Sequence, residues 1–188
     1  MAEPALSPCM TVAEFYDWHD GTDTRYELVR GVPMAMATPS PRHALLVDNI
    51  HQALRSRLPK PCRSWLGVGV AHRDSADQCR IPDVFLSCEP LPPRYFTSPR
   101  LIVEVLSPST EKEDRTDKLD FYQSFPSVEA ILFVWQDKRR VQLQTREGVH
   151  WLTQDFIGIG TVRLASLDLA MSLEEIYAGL DLPTEPAA

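Results

Sequence analysis

Residues 101–106 read LIVEVL, five aliphatic side chains and one carboxylate, Glu104. Residues 80–87 read RIPDVFLS, in which Asp83 interrupts a second apolar run. Runs of this kind are strands that enter a core, and a charged oxygen in a buried strand is costly unless it meets a partner. The fold must therefore bring something to both acids. A proline-rich loop, EPLPPRYFTSPR at 89–100, separates the two runs, so an antiparallel pairing of the strands is expected.

Helical and strand periods alternate along the rest of the chain. Thr11, with Glu14 three residues later, is a capping-box pattern for a short helix. Residues 25–37 read as a hairpin turning near Gly31, and Pro33 marks an edge or a late strand start. Behind Ser40 and Pro41, the residues Leu46, Val47, Ile50, Leu54 and Leu58 recur at three- and four-residue steps, which predicts a long amphipathic helix ended by Pro59 and Pro61. Strands are expected over 64–72, 80–87 and 101–106. A second helix runs from Thr110, with Glu113 completing another capping box, to a stop at Pro126. A buried strand over 128–135, alternating strands over 139–145 and 149–156, and a short terminal helix capped by Ser172 follow. This order points to an α/β or α+β domain with a mixed central β-sheet flanked by helices. The 188 residues suit a single domain with its core at about 11–180 and a flexible tail at 181–188.

The formal net charge is −7, which opposes tight non-specific binding to nucleic acid but leaves room for a local basic strip or bound divalent cations. The start, MAEPALSPCM, carries no basic segment followed by an apolar run, and no stretch approaches the roughly 20 apolar residues of a membrane span. The expected location is the cytoplasm. Cys9, Cys62, Cys79 and Cys88 form no C-x-x-C pair, so reduced and mostly buried thiols are expected.

Alternate residues of a strand share a face. Ile81, Asp83 and Phe85 point one way, and Ile102, Glu104 and Leu106 share a face of the other strand. In neighbouring strands, Asp83 and Glu104 can converge. Two ionised carboxylates about 5 Å apart repel by roughly 3 kcal/mol at an effective dielectric of about 20. Either one acid takes up a proton or a cation sits between them. A hard divalent ion such as Mg²⁺ suits the second case, because it takes oxygen ligands and keeps several waters, and the carbonyl of Val105 offers a further ligand. On the following helix Asp114 and Lys118 lie four apart, share a face and can pair. Lys118 stands near the start of the apolar stripe of Leu119, Tyr122 and Phe125, which aims it at the sheet and the two acids.

These segments carry a resemblance. In order they are YEL at 26–28 with Gly31, PSPRH at 39–43, PDV at 82–84, EVLSPST at 104–110, and Asp114 with Lys118. The set resembles the PD-(D/E)XK nuclease superfamily, and within it a large branch of candidate restriction endonucleases with the restriction-endonuclease-like fold. The resemblance implies that Asp83 and Glu104 hold Mg²⁺ or Mn²⁺, that a lysine positions the attacking water, and that the substrate is DNA. It also implies a further ligand in Glu27, the N-terminal acid, and a place near the site for His43. The superfamily motif expects lysine two residues after Glu104, where this chain has Leu106. Lys118 is then the substitute. The implied reaction is metal-dependent hydrolysis of a phosphodiester. The competing expectation is a catalytically silent domain of the same fold that binds nucleic acid or a protein partner. By analogy with the fold, a homodimer through the late strands is expected.

Overall fold

The computed structural model describes residues 9–73, 77–108 and 113–184, with the backbone alone at 113–116. Its elements are α1 (Val12–Asp17), β1 (Tyr26–Val29), β2 (Val32–Ala35), α2 (Pro41–Arg57), β3 (Arg63–Trp65), β4 (Val84–Ser87), β5 (Pro99–Leu106), α3 (Glu113–Gln123), β6 (Ala130–Trp135), β7 (Arg140–Glu147), β8 (His150–Ile157), β9 (Thr161–Leu164), β10 (Leu169–Ser172) and α4 (Leu173–Ile176). A six-stranded sheet runs in the order β3-β4-β5-β6-β7-β8. Only β5 and β6 are parallel within it, and α3 makes the crossover between them. The sheet is therefore mixed and flanked by helices, as its sequence implies.

Strand alternation builds two chemically distinct cores. Leu101, Val103 and Val105 of β5 face an aliphatic layer with Leu132 and Val134 of β6, Leu46, Ile50 and Leu54 of α2, and the β9–β10 hairpin. Ile102 and Leu106 of β5 face the opposite, aromatic layer, with Phe85, Phe133, Trp135 and the α3 residues Phe121 and Tyr122. Glu104 lies between Ile102 and Leu106 on this second face.

Local signals place most elements. Thr11 and Glu14 close the capping box of α1, and Ser172 and Glu175 that of α4. Ser40 caps α2 through the N–H of His43, and Pro41 opens the helix. Arg30 and Gly31 both have positive φ, 48° and 76°, the requirement of a two-residue turn whose twist matches the strands it joins. The β1–β2 pair is separate from the large sheet, and β2 is an edge, which accommodates Pro33.

Several expectations change. The strand expected over 64–72 ends at Trp65, because the chain turns at Gly67 with φ +65°; beyond it, Val70 makes isolated bridges to Arg80 and Phe96. The strand expected over 80–87 starts at Val84, so Asp83 occupies a bend just ahead of it. The β9–β10 hairpin was not expected. Leu182, at the start of the expected tail, packs with Leu180 against the aliphatic core. The capping box expected at Thr110 and Glu113 lies outside the described residues. Cys79 is a free, buried thiol as expected, Cys9 is free but exposed, and Cys62 and Cys88 are joined in a disulfide, against the expectation of reduced thiols. They flank the Arg63–Ser87 strand pair, and that proximity comes from strand register rather than sequence spacing. Among the described residues no helix is long and apolar enough to cross a membrane.

Candidate active site

Antiparallel register sets Val84 opposite Val103 and Phe85 opposite Ile102. One step beyond the last pair, Asp83 lies just ahead of β4 and Glu104 follows Val103 on β5. Pro82 and the bend at Asp83 end the pairing there, so the aspartate side chain turns back on the neighbouring strand. Its Oδ2 accepts the N–H of Val105 at 2.8 Å. The same oxygen lies 3.1 Å from Nε2 of His43, in the first turn of α2. Val105 thus meets Asp83 through its amide.

Glu104 is 4% exposed. One turn of α3 supplies both of its partners, since Lys118 and Tyr122 are four residues apart on one face. Lys118 Nζ donates to Oε2 at 3.2 Å and the Tyr122 hydroxyl to Oε1 at 2.5 Å. Burial pushes the Glu104 carboxyl up to about 7, Lys118 opposes that shift, and the charges of Asp83 and Glu27 add to it. Burial and the adjacent carboxylate hold the Tyr122 hydroxyl well above its ordinary range, so it stays a donor.

Asp83, Glu104, Val105, His43 and Lys118 all line one cleft of about 1240 Å³. Glu27 lies outside that lining. It is 6% exposed and pairs with Arg80 at 3.3 Å, and its Oε1 accepts the N–H of Ile81 at 2.7 Å. The side chain of Asp114 lies outside the described residues. Two groups were missed. Tyr122 reads in the sequence as one more member of the apolar stripe, although its spacing from Lys118 was a usable signal. Arg80 is buried, 53 residues from Glu27 in sequence, and no local pattern announces that pair.

The family model described as "Uma2: Putative restriction endonuclease" matches residues 12–184. The chain belongs to this family. Two cyanobacterial relatives from Synechocystis sp. are similar over most of their length. The uncharacterized protein slr1290 is 27% identical over 185 residues, 94% of each chain. The uncharacterized protein sll1609 is 24% identical over 170 residues, covering 82% of this chain and 91% of that one. A crystal structure of a "putative nuclease belonging to DUF820" from Anabaena variabilis superposes with a TM-score of 0.72 at 17% identity, covering 90% of this chain and 98% of the other. The Uma2 chain has the restriction-endonuclease-like fold.

Among the described residues, no three His, Cys, Asp or Glu side chains gather into one metal cluster. The donor set in the cleft is two carboxylates, Asp83 at the bend ahead of β4 and Glu104 on the neighbouring β5. Hard cations such as Mg²⁺ accept so few protein ligands and fill their shell with water. Burial is the main cause of the raised proton affinity of Glu104, with the charges of Asp83 and Glu27 adding to it, and a bound cation would oppose that shift. The residues present fit a hard divalent cation.

Proposed function

We propose that this Uma2 protein is a metal-dependent endonuclease that hydrolyses phosphodiester bonds in DNA. One observation carries the reading: Asp83, just ahead of β4, and Glu104 of the neighbouring β5 line one cleft, with the Lys118 ammonium 3.2 Å from Glu104. Asp83 and Glu104 would hold Mg²⁺ or Mn²⁺. Such an ion, when bound, polarises a phosphoryl oxygen and makes its bound water more acidic.

The chain's own groups divide the remaining work. Lys118 directs a positive charge at the reacting phosphate, where it orients water and stabilises developing charge. Tyr122 fixes the Glu104 rotamer through its hydroxyl. His43 and the Val105 amide fix Asp83. Leu106 stands where the superfamily motif has lysine, and the ammonium of Lys118 reaches Glu104 from α3 instead.

A plasmid-nicking assay with Mg²⁺ or Mn²⁺ tests the reading. The parent converts supercoiled plasmid, and Asp83→Ala and Lys118→Ala do not. Equal residual cleavage in parent and variants dismisses it. The competing reading, a silent domain that binds nucleic acid or protein, is favoured by Leu106 and by the net charge of −7. Calorimetric titration separates the two. Mg²⁺ heat that disappears in Asp83→Ala supports the enzyme, and no heat near millimolar Mg²⁺ supports the silent domain.

A further inference from the structure

Beside the cleft lies a second, smaller pocket of about 350 Å³. Phe15, Trp18 and Tyr26 are among its lining side chains. Trp18 and Tyr26 meet edge to face with ring centroids 5.0 Å apart. The two spaces share a wall made by Thr24, Arg25, Gly67 and Ile81. Ile81 is two residues before Asp83, so their Cα atoms are at most about 7 Å apart. The aromatic pocket therefore lies within a short reach of the proposed reacting phosphate.

Arg25 is the cation on that shared wall. It is exposed, and among the described residues its guanidinium forms no ion pair. It lies across Gly67, where a Cβ would come within 3.1 Å of Arg25 Nη2, and the φ of +65° there suits glycine. The other charges sort differently. Arg94 is spent on Asp17 at 2.8 Å. Asp20 accepts the Tyr26 hydroxyl at 2.6 Å, which holds its carboxyl below the ordinary range and keeps it ionised. His19 accepts the N–H of Gly21 through Nδ1. An ionised Asp20 makes the pocket unsuitable for a phosphate, whereas aromatic faces suit a flat heterocycle. The phosphate belongs at the rim, on Arg25.

We infer that this pocket takes one unpaired nucleobase next to the scissile position, with Arg25 on the neighbouring phosphate, so that the substrate is single-stranded or locally unpaired DNA. The inference rests on the proposed nuclease reading and names its substrate class. Stacking of a base on an aromatic ring is indifferent to base identity and needs the base out of its duplex.

Fluorescence anisotropy with the full chain in Ca²⁺ tests this. The probes are a labelled single strand, the same sequence as duplex, and an abasic strand of equal length. The single strand is expected to bind at least about tenfold more tightly than the duplex. Trp18→Ala should weaken the single strand about tenfold and leave the abasic strand unchanged, and Trp18→Phe should restore most of the loss. Arg25→Ala, at an exposed position, should weaken both strands even where Trp18→Ala fails to fold. A single strand that binds no better than duplex, or an Arg25→Ala chain with parental affinity, overturns the inference while the nuclease reading stands. Absence of binding to any probe, together with an inactive parent in the nicking assay, overturns both.

Discussion

Two buried glutamates sit close enough for their charges to interact, and the fold treats them in opposite ways. Glu27 is 6% exposed and Glu104 4%, so burial does not distinguish them. Glu27 meets a guanidinium and an amide, Arg80 and Ile81, which belong to the segment leading into Asp83. Its carboxylate works as a strut that holds that segment against β1. Glu104 meets an ammonium and a phenol from one turn of α3, lines the cleft, and still has its proton affinity raised to about 7. A buried acid with its charge matched and its face closed reads as structure. A buried acid whose proton affinity burial has raised, facing a cleft, reads as a site.

The contrast can be broken most forcefully at Arg80. Arg80→Met leaves Glu27 as an uncompensated buried charge, and the expected loss is about 3–5 kcal/mol in urea denaturation. A loss under 1 kcal/mol would mean that Glu27 is solvated and free for another role. The next largest effect separates the acids by activity. Glu104→Gln should lower plasmid nicking by about 100-fold or more while the fold persists by circular dichroism. Glu27→Gln should lower stability first, and the folded fraction should keep activity within about tenfold of the parent. If Glu27→Gln matches Glu104→Gln per folded molecule, Glu27 serves the site directly rather than as a strut.

The sequence made one side of this comparison readable. An acid inside LIVEVL and another after Pro82 are local facts, and antiparallel register does the rest, because side-chain direction in strands alternates by twos. Helix starts were equally local, as Thr11 with Glu14 and Ser40 with Pro41 illustrate. What stayed hidden depends on pairing over distance. Nothing local marks Arg80 until Glu27 is placed beside it. Cys62 and Cys88 become neighbours only through the β3–β4 register. The β9–β10 hairpin turns at Asp168, a non-glycine residue at φ 52°, without the Asn-Gly or Asp-Gly signal of a tight hairpin. Asp83 left its expected strand because the pairing stops at the bend after Pro82, and that bend is what turns its carboxylate toward Val105.

The Glu104 side of the comparison also predicts a pH dependence, measured with chelator present. Between 4.5 and about 7 the folded chain holds a proton on Glu104 that the unfolded chain has released. Stability is therefore greatest below this window and falls as pH rises through it, by on the order of 3 kcal/mol. Glu104→Gln should remove that fall. A parent whose stability is flat from pH 5 to 8, or a variant that keeps the slope, would mean that Glu104 is not the group that titrates.

Tyr122→Phe gives the smallest effect and the finest test. It removes one hydroxyl donor from Glu104 and leaves the ring among Phe121 and Phe125. The lost hydrogen bond matters most when the carboxylate is ionised, because hydrogen bonds to charged groups are the stronger ones. The expected cost is about 1–2 kcal/mol at pH 8 and less at pH 5, and the downward slope should extend to higher pH because the donor that favours the ionised form is gone. Urea denaturation at the two pH values reads both effects. An equal cost at pH 5 and pH 8 would reduce Tyr122 to packing, and Lys118 would then be the one polar side chain among the described residues of α3 that answers the charge on Glu104.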